Sequence, residues 1–170
     1  IHSDASVFFQ SNLGLLPVLV KRVLEEAGEG SLLVDLFSGV GFFATILEDS
    51  FEKILAVERD SGCLRHAVKN LKNSAEFITT PAEDWLQENM VSKNATLIVD
   101  PPRTGLPQSA VEVLLKSSLP RLIYVSCNPV TLARDLKLFK SGGFSLDSLE
   151  GFAFYPQTPH LEMLAILSRK

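Results

Sequence analysis

The sequence predicts an α/β fold, a mostly parallel sheet with an antiparallel C-terminal edge and helices on both faces. Three observations predict it. Seven short apolar runs alternate with helix-like stretches along most of the 170 residues, the pattern of repeated strand–helix crossovers. Runs such as Leu122-Ile123-Tyr124-Val125 are apolar on successive residues, as expected of strands buried on both faces. The last two runs have no helix between them, so they should pair antiparallel, as in a hairpin.

A helix is expected over Asn12–Ala27, then a strand over Leu32–Phe37 and a helix over Phe42–Asp49. A second strand, Lys53–Glu58, leads into a helix over Gly62–Asn73, and a third strand covers Glu76–Thr79. The helix at Ala82–Glu88 follows Thr80-Pro81-Ala82-Glu83, which reads as a capping-box Thr, a Pro at the first helical position and a Glu three residues after the cap. A strand at Thr96–Asp100 and a helix at Gln108–Lys116 come next. The fifth strand, Arg121–Ser126, runs into a helix over Val130–Lys140, with Asn128 as N-cap and Pro129 in the first turn. Phe144–Phe154, expected to be interrupted, and Leu161–Ser168 complete the set.

Composition sets the bounds. Hydrophobic content of 46% with 21% charged residues is ordinary for a globular protein, and 170 residues suit one domain spanning 1–170. The best candidate for a membrane span, Leu13–Leu24, is broken by Pro17, Lys21 and Arg22, and no basic-then-apolar leader opens the chain. Cys63 and Cys127 offer neither a disulfide framework nor metal-ligand spacing, so the default location is cytoplasmic and no metal is expected. The chain opens on Ile1 and reads as an excised domain or a processed product. A net charge of −4 and a pI near 5.4 argue against a self-sufficient nucleic-acid binder, though not against a nucleic-acid substrate held mainly by another region.

Five motifs carry chemistry. The first strand ends in Asp35-Leu36-Phe37-Ser38-Gly39-Val40-Gly41, where glycines permit a sharp turn and close approach of a ligand to a helix N-terminus. Ala44 occupies the third glycine position of a full GxGxxG, so a tight structural turn remains an alternative. Glu58, at the end of the second strand, stands about 20 residues beyond that turn, where an acid suits two ribose hydroxyls. Asp60 could instead be the cap of the next helix. Asp100-Pro101-Pro102-Arg103 holds a carboxylate on a rigid loop at a strand exit.

Cys127, in Ser126-Cys127-Asn128-Pro129, sits where a strand ends and a helix dipole begins, a setting that favours the thiolate. A buried structural cysteine is the competing reading. Glu162 follows Phe154-Tyr155-Pro156-Gln157-Thr158-Pro159-His160-Leu161 and opens an apolar run. Desolvation there should raise its pKa and suit it to accept a proton, although a solvated strand-edge Glu is the commoner case.

In order, these segments resemble the catalytic domain of the RNA uracil-5-methyltransferases, which make 5-methyluridine in tRNA or rRNA from S-adenosylmethionine. The match runs from Phe8-Phe9-Gln10-Ser11-Asn12 through the glycine turn, Val57-Glu58, Asp100-Pro101-Pro102-Arg103 and Ser126-Cys127-Asn128-Pro129 to His160-Leu161-Glu162. The resemblance implies a Rossmann-like methyltransferase fold, with Cys127 as nucleophile and Glu162 as the base that removes the C5 proton. It implies that Gln10, Phe37, Glu58 and Asp100 surround cofactor and target base, with Asp35, Gly39 and Gly41 in the cofactor turn. It further implies an RNA substrate positioned by an N-terminal region outside this chain, and we expect a monomer. Phe9 and Phe154 are candidates to stack on the base, or else core residues. Phe42 and Pro81 depart from the family, which often has Asn at the first and an acid or amide at the second, both near the adenosine. The competing readings are an exocyclic-amine methyltransferase, which gives Cys127 no role, a cytosine-C5 enzyme, a catalytically silent cofactor-binding domain, and a dehydrogenase.

Overall fold

The computed structural model describes residues 14–71, 75–154 and 161–169. The elements are α1 (Leu16–Ala27), β1 (Gly30–Leu36), α2 (Phe42–Ile46), β2 (Phe51–Glu58), α3 (Ser61–Asn70), β3 (Ala75–Thr79) and α4 (Ala82–Glu88). They continue with β4 (Ala95–Val99), α5 (Gln108–Lys116), β5 (Arg121–Ser126), α6 (Pro129–Ser141), β6 (Phe144–Phe152) and β7 (Glu162–Arg169). Every expected strand is present. Most boundaries move by one to three residues, because chain ends fray where ladder bonds run out. The helix expected over Phe42–Asp49 changes pitch halfway, with Glu48–Ser50 forming a 3-10 turn.

The seven strands form one sheet in the order β3-β2-β1-β4-β5-β7-β6. All pairings from β3 to β5 are parallel, while β7 pairs antiparallel with both β5 and β6. The last strand thus lies inside the sheet and β6 forms its edge. The expected interruption of β6 is a register shift between Leu146 and Ser148, a bulge that bends the edge strand.

Both sheet faces are buried, and the two-residue period of a strand divides the core. Val34, Leu36, Leu97, Val99 and Tyr124 pack on the α4–α5–α6 side. Leu33, Ile54, Ile98, Ile123 and Ile166 pack on the α1–α2–α3 side. Each such side chain at 0–1% exposure contributes about 1.5–3 kcal/mol by leaving water. Leu19, Val23 and Ala27 recur every four residues and give α1 its buried stripe.

Two capping expectations meet different outcomes. Asn128 caps α6, its side chain accepting from the Val130 N–H at 3.0 Å, with Pro129 following. At α4, by contrast, Pro81 holds the cap position and no side chain caps the helix. The proline itself takes the Ncap position in an extended conformation (ψ 139°), so Thr80 lies one residue too far out. The Thr80 N–H donates to the Glu58 carbonyl instead.

Strand order reverses between β1 and β4: β2 and β3 lie on one side of β1, β4 and β5 on the other. Connections therefore diverge at the carboxyl ends of β1 and β4, opening a crevice there. The glycine turn and Asp100 meet at that point.

Candidate active site

The turn after β1 is strained. Phe37 has φ of 60°, the sole positive φ among described non-glycine residues, and Gly39 and Gly41 follow with φ of 54° and 76°. A bulky residue in this region costs about 1–3 kcal/mol and persists only where its surroundings impose it. Here the Ser38 N–H donates to the Val57 carbonyl and the Gly41 N–H to the Ser38 carbonyl, at 3.1 and 2.8 Å. A Cβ on Gly41 would lie 3.0 Å from Leu71 Cδ1 and 3.1 Å from Ala67 Cβ, whereas one on Gly39 would meet nothing within 4 Å. Gly41 lets the turn close onto α3, and Gly39 leaves an open approach for a ligand.

Glu58 is oriented by the same turn. Its Oε2 accepts from the Gly39 N–H at 3.0 Å and its Oε1 from the Asp60 N–H at 2.8 Å. The Asp60 side chain accepts from the Gly62 N–H at 2.7 Å, so Asp60 is the cap of α3 and Glu58 is the acid facing the crevice. Asp35 lies beneath the turn, 0% exposed. Its Oδ2 accepts from the Ala44 N–H at 3.0 Å, tying β1 to α2. Burial pushes its pKa up to about 7, with Glu58 adding and the Ala44 N–H opposing. Its Oδ1 and the Ser38 hydroxyl are buried with no protein hydrogen-bond partner among the described residues.

A cleft of about 470 Å³ opens above the turn, walled on one side by Phe37, Gly39, Phe42, Glu58 and Cys63. The opposite wall is Asp100 with the loop after it, at Pro102, Thr104, Gly105 and Pro107. Phe42 puts an aromatic ring on the wall, packed edge-on to Phe43 with centroids 5.0 Å apart. Pro81 does not reach the cleft, but Ala82 and Glu83 do. Glu83 brings a carboxylate to that wall from two residues further on, a placement that only the short turn into α4 reveals.

Cys127 and Glu162 lie beyond that wall, at the adjoining ends of β5 and β7. The β5–β7 ladder pairs Ser126 with Met163, and one further antiparallel step sets Cys127 opposite Glu162. Glu162 is 3% exposed and Cys127 is half-buried. The thiol is pushed up from its ordinary pKa, first by burial and then by Glu162 and Asp100, against the pull of Arg103 and its own backbone N–H. That corrects the expectation of a thiolate favoured by the α6 N-terminus: the dipole is present, but two acids and desolvation outweigh it. Asp100 is held well above the usual carboxylate range, by burial first and then by Glu162 and Asp35. It belongs to both halves, walling the cleft and acting electrostatically on Cys127.

The loop carrying Asp100 is fastened to α6. Asn128 Nδ2 and Thr131 Oγ1 donate to the Arg103 carbonyl at 2.9 and 3.2 Å. Asp135, 0% exposed, accepts from the Leu106 N–H at 2.9 Å and the Tyr124 hydroxyl at 2.7 Å. Arg134 pairs with Asp135 and donates to the Thr104 and Leu106 carbonyls. Sequence reasoning passed over these residues. The available signal was a phenol inside a buried strand, which needs a partner.

Gln10, Phe9 and His160 lie outside the described residues. Phe154 is 2% exposed and stacks on Phe152 at 6.3 Å, which makes it core and removes it as a platform for a base. Among the described residues no helix is long and apolar enough to cross a membrane.

Residues 4–170 match the family model described as tRNA (uracil-5-)-methyltransferase. An uncharacterized RNA methyltransferase of Thermosynechococcus vestitus is 34% identical over 172 residues, covering 96% of this chain and 38% of its own. One from Aquifex aeolicus is 34% identical over 167 residues, covering 96% of this chain and 39% of its own. The crystal structure of Pyrococcus abyssi tRNA (uracil-54, C5)-methyltransferase with S-adenosyl-L-homocysteine superposes with a TM-score of 0.80 at 33% identity. It covers 95% of this chain and 40% of that one. The chain therefore spans about two fifths of the relatives it matches.

Proposed function

The chain belongs to the tRNA (uracil-5-)-methyltransferase family, and from that premise we propose that it is the catalytic part of an enzyme transferring a methyl group from S-adenosylmethionine to C5 of a uridine in RNA. The observation that supports the reading is that the β5–β7 ladder ends at the Ser126–Met163 pair, one residue short of Cys127 and of Glu162, with Asp100 both lining the cleft and acting on Cys127.

The cleft suits S-adenosylmethionine on four counts. Glu58, oriented by two backbone N–H groups, retains lone pairs for the two ribose hydroxyls. The Ser38 hydroxyl and Asp35 Oδ1, without protein partners among the described residues, are buried polar atoms at the turn, and such atoms ordinarily take a ligand or water. Asp100, with Glu162 and Asp35 near it, makes a surface complementary to a cationic group. Phe37 and Phe42 supply apolar wall. When bound, S-adenosylmethionine supplies an electrophilic methyl group.

Uracil C5 is a poor nucleophile until something adds to C6. In the proposed reaction Cys127 Sγ bonds to C6, and the C5–C6 π pair moves towards C5 and O4, making C5 the nucleophile. Once C5 carries the methyl group, the Glu162 carboxylate removes the C5 proton. The electrons of that C–H bond re-form C5=C6, and the S–C6 bond breaks to return the thiolate. Asp100, raised well above the usual carboxylate range by burial, opposes the thiolate when it is charged. Arg103 favours it. The base must leave its stack to reach this site. With a net charge of −4, the RNA is gripped chiefly outside this domain, and tRNA or rRNA is the substrate class.

Two variants of the full-length protein test the reading with labelled cofactor and RNA. Cys127→Ala should abolish transfer while cofactor affinity stays within about twofold, since the thiol lies outside the cleft wall; lost affinity would overturn the nucleophile role. Glu162→Gln should accumulate a covalent protein–RNA adduct, seen as a retarded band on a denaturing gel, because proton removal stalls before elimination. No adduct where wild type turns over would overturn the base role.

A further inference from the structure

We propose that Asp135 and Arg134 are positioning residues, which hold the Asp100–Leu106 loop against the start of α6 and thereby set Cys127 and the cofactor cleft in register. This rests on the reading of Cys127 and the cleft given above. A fully buried carboxylate is costly unless its partners are supplied, and those of Asp135 converge on one loop. It takes the Leu106 N–H, and its neighbour Arg134 takes the carbonyls of Thr104 and Leu106. From below, Asp135 is held by the Tyr124 hydroxyl on β5, the strand that leads to Cys127.

The loop sits closely enough that only glycine fits at its centre. Gly105 has φ of 75°, and a Cβ there would lie 2.7 Å from both Arg134 Nη2 and Asp135 Oδ2. On its other surface the same loop, at Pro102, Thr104 and Gly105, walls the cleft. Its Arg103 carbonyl is bound to Asn128 and Thr131 in the first turn of the helix that starts beside Cys127. One rigid piece therefore has the cofactor cleft on one side and the nucleophile on the other. If it loosens, the cleft wall and the Arg103 cation both move relative to Cys127, while Glu162 on β7 stays where the sheet holds it.

Arg134→Gln in the full-length protein tests this, because the Arg134 side chain is 52% exposed and its loss should spare the fold. Losing the guanidinium's bonds to Asp135, Thr104 and Leu106 should weaken S-adenosylmethionine about three- to tenfold. It should also move the pH midpoint of Cys127 alkylation upward, followed by iodoacetamide labelling and peptide mapping so that Cys63 is scored apart. Arg134→Lys, which keeps the charge but not the planar fork, should recover part of both effects. Asp135→Asn should exceed them if it folds, and Arg134→Gln decides if it does not. A lowered melting temperature with both readouts at wild-type values would make the network merely structural and overturn the proposal. If wild type bound no cofactor, the proposed function would fall, and the Cys127 alkylation profile would still decide whether the network positions it.

Discussion

The two halves of this site, the turn between β1 and β2 and the paired ends of β5 and β7, are built on different principles. The β1–β2 half is a backbone device. Asp35, Phe37, Gly39, Gly41 and Glu58 lie within 24 residues (35 to 58), and N–H groups of the same region hold both acids. The β5–β7 half is made of side chains brought from far apart. Cys127 and Glu162 meet through sheet register, and the loop beside them is pinned by a carboxylate 29 positions away. The contrast teaches that a glycine turn can be built locally, whereas Cys127 and Glu162 meet only after the sheet has formed. The two halves should therefore fail differently when broken.

Gly41→Ala is the harshest test of the local half. The φ of 76° costs a Cβ-bearing residue about 1–2 kcal/mol, and contacts near 3.0 Å with Leu71 and Ala67 add overpacking of similar size. A loss of about 2–4 kcal/mol in urea unfolding is expected, with weakened cofactor binding. Gly39→Ala, which meets no neighbour, should cost only about 1 kcal/mol yet still obstruct the cleft. Equal costs at the two glycines would mean that strain and packing do not define this turn.

Asp35→Asn probes the same half through its charge. The folded-state pKa is raised from 3.8 to about 7, so the protonated acid is the form that folding favours. Its contribution is complete below pH ~4 and is lost as pH rises through about 7. The amide carries no such charge, and its oxygen can still accept from Ala44. Asp35→Asn should therefore match wild type near pH 4 and exceed its stability by on the order of 4 kcal/mol at pH 8. Parallel stability–pH curves for the two proteins would show that Asp35 is not a buried, uncompensated charge.

The same division decided what could be read before folding. The strands and the parallel-then-antiparallel order were legible because buried runs such as Thr96–Asp100 and Leu122–Val125 leave few alternatives. The glycine turn with Glu58 was legible because its parts are neighbours in sequence. Pro81 misled, since the capping pattern does not say which residue will be the cap. Cys127 misled in another way: the helix start beside it is visible locally, but the acids that raise its pKa come from β4 and β7. Asp135 was hidden because its partners, Leu106 and Tyr124, are distant in sequence and adjacent only across the fold.

Arg103→Gln tests the long-range half at its weakest point. Among the described residues, Arg103 is the cation that lowers the Cys127 pKa, set against burial, Glu162 and Asp100, which raise it. Its side chain is exposed, so solvent screens the attraction and stability should change by well under 1 kcal/mol. The carbonyl that Asn128 and Thr131 hold belongs to the backbone and survives the substitution. Without the cation the thiol should deprotonate at higher pH, and Cys127 alkylation should slow at neutral pH by about two- to fivefold. The deficit should close as the pH approaches 10 and widen at low ionic strength, where the lost attraction was strongest. A rate deficit independent of both pH and salt would mean that Arg103 acts on Cys127 by shape rather than by charge.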